Sequence, residues 1–178
     1  YQPSVDEVIR ENFADPSKKE LCIFLQLHND KISPELLNYV DLIHQYIPEF
    51  DVYITTLSQQ SSDFVEKLLK EKVWVDSVKR IDVFKQNRGM DIGAFLWQLD
   101  QVRKTPHAYT ALLKFHTKSM HSWRREMMIP FTRETIAYHV QHMKNHPEVG
   151  VMGVASKMYL NVEYTEARFL REMEWKVF

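Results

Sequence analysis

"KQNRGMDIGAFLWQL", residues 85–99, decides how the chain is read. Two of only four glycines, Gly89 and Gly93, stand here, with Asn87 before them and Asp91 between. Glycine this scarce marks a place where the backbone turns tightly or approaches another group closely. Upstream, "VKRIDVFKQN" (78–87) reads as a strand. Downstream, Ile92, Phe95, Leu96, Leu99 and Val102 fall at helical spacing from Asp91. The glycines therefore lie at a strand-to-helix turn.

The same unit repeats in both directions. "ELCIFLQLHN" (20–29) is an apolar run bounded by polar residues, a buried strand. "SPELLNYVDLIHQYI" follows as a helix, with Ser33 as its expected cap and Pro34 at the first helical position. Its Leu36, Leu37, Val40, Ile43 and Ile47 share one face. "FDVYITT" (50–56) is a second strand and "SSDFVEKLLKEK" a second helix. After the opening stretch, "AYTALLKFHTK" gives a fourth strand, "TRETIAYHVQHMKNHP" a helix closed by Pro147, and "VGVMGVAS" a fifth strand. Strands alternating with helices predict an α/β fold, an open and mostly parallel sheet flanked by helices. Residues 157–178 carry no clear period.

Composition narrows the function. The 178 residues suit one domain with a sizeable core, and 44% are hydrophobic. Basic and acidic residues balance at 23 against 24, which gives no electrostatic case for nucleic acid or anionic membrane. A single cysteine, Cys22, excludes an internal disulfide and fits a reducing, cytoplasmic setting. No apolar run reaches the roughly 20 residues of a membrane helix, and no signal peptide is visible. A peripheral place at the cytosolic face of a membrane stays compatible with this. The start at Tyr1 fits a piece of a longer protein.

In open α/β sheets ligands bind beyond the carboxyl ends of the strands, near a switch in strand order. The polar residues expected there are His28 and Asn29, Thr55 and Thr56, Asn87 to Asp91, and His116 to Lys118. A helix N-terminus at Asp91 suits a phosphate, with Gly89 allowing close approach and Arg88 pairing with a diphosphate. A carboxylate beside phosphates repels them unless it holds a metal or accepts hydrogen bonds from sugar hydroxyls. The plain alternative is that Asp91 caps the helix and Gly89 only turns. Strand alternation sets Lys114, His116 and Lys118 on one side, with Trp123 and Arg124 close behind. The plain alternative there is a solvated strand end.

His139, His142 and His146 share a helical face, as surface histidines near a helix C-terminus rather than a metal cluster. Cys22 reads as core. The Rossmann glycine pattern, P-loop, G-x-S-x-G, C-x-x-C and H-E-x-x-H are all missing from the sequence.

"NRGMDIGAFL", then "YTALLKFHTKS" and a nearby W-R pair, resembles the rhamnan synthesis protein F family of glycosyltransferases. "IFLQLHND", "FDVYITT" and "HPEVGVMGVAS" are similar as well, so the likeness spans roughly residues 20–156. It implies a GT-A-like fold moving a sugar, typically L-rhamnose, from a UDP- or dTDP-linked donor to a glycan acceptor. It also implies one domain over 1–178: an N-terminal extension (1–19), a nucleotide-sugar half (20–118) and an acceptor-side half (119–178). Donor-binding residues would be His28, Asn29, Thr55, Thr56, Asn87, Arg88, Gly89, Asp91, Lys118, Trp123 and Arg124, with Trp123 stacking on a sugar face.

Two departures matter. GT-A enzymes commonly hold Mn²⁺ or Mg²⁺ on a D-x-D motif, which this sequence lacks. Either Asp91 and His116 hold the cation, which the resemblance favours, or Lys118 and Arg88 supply its charge. The family also usually continues with an acceptor-side segment that is not found after Leu160; the base that an inverting transfer needs would lie in such a segment or be Glu163 or Glu166. A non-catalytic binding module of the same fold and a nucleotide-sugar hydrolase are the competing readings.

Overall fold

The computed structural model describes residues 3–13, 21–85, 90–107, 109–128, 132–146, 148–150 and 152. The apolar runs form β1 (Leu21–Gln26), β2 (Phe50–Thr56), β3 (Val78–Val83) and β4 (Ala111–His116). All pair in parallel, in the order β3-β2-β1-β4. From β1 the chain steps outward through β2 to β3, then crosses back to β4 on the far side of β1. The strand order thus reverses between β1 and β4. The fifth strand expected over 149–156 falls mainly outside the described residues; Val149 and Gly150 are described and not in a strand.

Helices α1 (Val5–Phe13), α2 (Ser33–His44), α3 (Gln59–Leu69), α4 (Met90–Arg103), α5 (His121–Met128) and α6 (Arg133–Asn145) cover the sheet. Parallel strands buried on both faces sort their side chains by parity. Leu21, Ile23 and Leu25 of β1 join Phe50, Val52 and Ile54 of β2 on one face. There they pack with Leu36 and Val40 of α2, Val65 of α3 and Ile136 of α6. Cys22 and Phe24 turn to the other face, where Tyr53 and Val102 complete a smaller cluster under α4. Phe24 meets Tyr53 and Phe95 edge-on, with ring centroids at 6.0 and 5.9 Å. Burial raises the Cys22 thiol well above its ordinary pKa, with Asp51 adding to the effect, as befits a core cysteine.

The start of α2 differs from the expectation. Ile32, not Ser33, is the α2 cap, and Ser33 is already helical, with Pro34 behind it. The Ser33 hydroxyl instead donates to the Asn29 carbonyl at 2.9 Å, so it secures the preceding turn. The expected N-terminal extension contains α1. Ser4 and Glu7 form a reciprocal capping box, Glu7 N to Ser4 Oγ at 3.3 Å and Ser4 N to Glu7 Oε2 at 2.7 Å. Val8, Ile9 and Phe13 then bury against the main core, and Arg133 of α6 pairs with Asp6.

Gln98 is the odd residue of α4. It is 1% exposed, more buried than the neighbouring Leu96. Its amide donates to the Tyr53 and Leu25 carbonyls at 2.8 and 3.3 Å and its oxygen accepts from Gln26 at 3.3 Å. Gln98→Leu removes all three bonds and leaves the Gln26 amide short of a partner. Urea unfolding should report a loss of about 1–3 kcal/mol. An unchanged midpoint would show that Gln98 does not pin α4 to the sheet.

Candidate active site at the strand ends

The register explains why polar side chains gather where α4 crosses the sheet. Gln26 is level with Thr55 on one side and His116 on the other, and Thr55 is level with Asp82. These four share parity with Cys22 and Phe24, so they face α4. A helix packed on a sheet ordinarily meets apolar residues here. A net hydrogen bond is worth only about 1 kcal/mol, less than a buried Leu or Ile, so stability does not account for a polar row.

Asp91, in the first turn of α4, is the hub. Its Oδ2 accepts from Lys114 Nζ at 2.8 Å and lies 3.1 Å from His116 Nδ1. Its backbone carbonyl accepts from Gln26 Nε2 at 2.9 Å. The hydrogen bond from His116 is the largest cause that holds the Asp91 carboxyl well below the usual range; Lys114 adds to it and burial opposes it. Asp91 is therefore an anion at any working pH. The Lys114 ammonium sits 5.5 Å from the centre of the Phe95 ring, a cation–π contact one helical turn beyond Asp91.

The loops leaving β1 and β4 are stitched together. The His28 backbone N–H donates to Thr117 Oγ1 at 3.1 Å, and Thr117 N–H donates to the Gln26 carbonyl at 3.1 Å. His28 Nε2 lies 3.2 Å from Thr55 Oγ1. Burial, then the neighbouring His116, lower the His28 pKa, with Asp91 opposing; His28 is a neutral imidazole at pH 7. His116 Nε2 and Gln26 Oε1 are buried with no partner among the described residues. Two such atoms in one crevice are the sort of unmet bonding capacity that a ligand or water satisfies.

The fold brings His28, Thr55, Asp91 and His116 together as expected. It gives other expected residues supporting roles. Asn29 shapes a turn, its Oδ1 accepting from Lys31 N–H at 3.1 Å. Thr56 is buried and donates to the Ser58 carbonyl at 3.3 Å. Arg124 is buried and paired with Glu35. Lys118 follows β4, its carbonyl accepting from Arg124. Asn87, Arg88 and Gly89, the side chain of Trp123, and Glu163 and Glu166 lie outside the described residues.

Lys114 stands on the side that alternation assigns it. Gln26, Gln98 and Glu35 escaped the sequence reading. A lone glutamine in the apolar run "LCIFLQL" and a glutamine seven residues after Asp91, on the same helix face, were the available signals.

Asp91 and His116 do not fit a divalent-cation site as they stand. They bond each other, and an ammonium shares the same carboxylate oxygen. Among the described residues no group of three His, Cys, Asp or Glu side chains could hold a metal. That includes α6, where the His142 and His146 rings lie 4.4 Å apart and His146 faces Glu148 at 3.3 Å. A cleft of about 460 Å³ opens beside Asp51 and Lys79, at the amino ends of β2 and β3. It is remote from the strand-end crevice, and its Lys79 and Lys104 pair with Asp51 and Asp100 at 3.5 and 2.6 Å.

An open, all-parallel four-stranded sheet flanked by helices is consistent with a GT-A-like fold. The family model described as Rhamnan synthesis protein F matches residues 3–158, and the chain belongs to that family. Membership points to a glycosyltransferase-like role in rhamnan synthesis. No curated protein and no solved structure matches the chain. No helix among the described residues is long and apolar enough to cross a membrane.

Proposed function

We propose that the protein transfers a sugar, L-rhamnose, from a UDP- or dTDP-linked donor to a glycan acceptor, with inversion, at the cytosolic side of a membrane. The observation that carries this reading is the Asp91–His116–Lys114 cluster at the switch-point crevice of a family member. The acceptor oxygen attacks C1 of the sugar from the face opposite the diphosphate. The C1–oxygen bond breaks, its electron pair leaves with the nucleoside diphosphate, and the acceptor proton passes to a base. Glu163 and Glu166 are the acidic side chains proposed for that base.

Charge on the leaving diphosphate is the largest demand. We assign the compensation for that charge to Lys118, Arg88 and the N-terminal N–H groups of α4. This cationic set takes the place of the D-x-D-bound metal. His28, steadied by the buried Thr55, offers a neutral hydrogen-bonding group to the donor.

The test supplies UDP- and dTDP-rhamnose with and without rhamnan fragments and follows nucleotide release and product mass. Release that requires the acceptor supports transfer. Equal release without acceptor identifies a hydrolase, and tight binding with no release identifies a binding module.

A further inference from the structure

We propose that Arg124 and Glu35 form a strut that ties the segment after β4 to the start of α2 and holds Lys118 towards the donor diphosphate. Arg124 is thus a positioning residue, not a ligand contact. The proposal rests on the donor-site reading above.

Arg124 joins segments 89 residues apart. Its Nε lies 3.0 and 2.9 Å from the two Glu35 oxygens, and its Nη1 donates to the Lys118 carbonyl at 2.5 Å. The residue is 7% exposed, so its guanidinium is committed to the protein on both arms.

Each anchor belongs to a different segment, Glu35 to the one after β1 and Lys118 to the one after β4. Glu35 lies in the first turn of α2, where a carboxylate also suits the helix dipole. That turn is tied through Ser33 to the Asn29 carbonyl, directly after His28. Lys118 directly follows Thr117, which binds the end of β1. The loop after β1 and the loop after β4 are thereby fixed to one planar group. The two-armed geometry is specific to arginine; a lysine ammonium reaches one anchor and lets go of the other.

Stability is a poor reason for this arrangement. A buried ion pair loses in desolvation much of what it gains in attraction, and an apolar side chain would pack α5 as well. An apolar side chain could not hold the Lys118 carbonyl. Position is what the pair supplies.

Calorimetric titration of UDP and uridine on the wild type, Arg124→Lys, Lys118→Ala and the double variant tests the strut. Arg124→Lys should lose roughly tenfold in UDP affinity and little for uridine. The double variant should bind UDP no worse than Lys118→Ala alone, because Arg124 acts through Lys118. Glu35→Gln, on the more exposed partner, should show the same pattern and covers the case in which Arg124→Lys does not fold. Unchanged UDP affinity in a folded Arg124→Lys or Glu35→Gln overturns the proposal. Additive losses in the double variant also overturn it, since Arg124 would then touch the diphosphate itself. A wild type that binds UDP no better than uridine overturns the donor-site reading and the strut's role together, and shows itself before any substitution is made.

Discussion

Asp91→Asn is expected to lower kcat roughly a hundredfold while KM for the donor holds or falls. Asparagine keeps the shape and remains an adequate helix cap, so α4 should still start at the same place. It offers a neutral carbonyl oxygen where one charged carboxylate oxygen, Oδ2, meets both Lys114 and His116, and a hydrogen bond that loses its charge is roughly half as strong. Lys114 and His116 are then held less firmly, and a displacement of about 1 Å at a reacting centre costs on the order of 10²-fold. Removing the negative charge acts oppositely on the ground state, because a diphosphate meets less repulsion. The split between kcat and KM separates these effects. Equal kcat in wild type and variant would reduce Asp91 to a cap.

The same substitution has a signature in stability. The folded state holds the Asp91 carboxyl well below the usual range, chiefly through His116. In the unfolded chain an aspartate takes up its proton near pH 4. The stabilisation is then complete above about pH 4 and is lost as pH falls below it, where the unfolded chain binds a proton that the folded one refuses. An amide cannot titrate, so Asp91→Asn should show a flatter fall in stability below about pH 4. Urea midpoints between neutral and acid pH measure this without any ligand.

Parts of the fold were legible because short-range signals sufficed. "FDVYITT" becomes β2 from Phe50 to Thr56, residue for residue, since a turn precedes it and Ser58 caps the next helix. The strand read over 78–87 ends at Val83; its alternation continues into Phe84 and Lys85 with nothing in the sequence to stop it. Helix α5 went unread because its eight residues bury few apolar side chains, and two turns of pattern carry little information. For the candidate site, the polar strand ends pointed to His28, Thr55, Asp91 and His116, which the fold brings close together. What remained hidden depends on register and topology. Gln26 gains its role from lying level with His116, and Glu35 from a partner 89 residues away. Neither relation exists in the sequence until the strand order is known.

The order of strands also sets up the last expected result, the response to Lys118→Ala and to EDTA. With Asp91 already engaged by Lys114 and His116, charge for the diphosphate is expected from Lys118 and its neighbours. Losing one charge-assisted bond costs about 1.5–3 kcal/mol, roughly ten- to a hundredfold in affinity. Lys118→Ala should therefore weaken UDP by that factor and leave uridine, which has no phosphate, nearly unchanged. EDTA should alter neither. The opposite pattern, donor binding abolished by EDTA, restored by Mn²⁺ and indifferent to Lys118→Ala, would place a metal where the cationic side chains are assigned. Asp91 would then have to release Lys114 to serve as a ligand. That exchange would be visible as a Mn²⁺-dependent change in the Lys114 ammonium signal by NMR. Indifference to both treatments would remove the diphosphate from this crevice altogether. Each outcome acts on a different atom: Lys118 Nζ, Asp91 Oδ2, or neither.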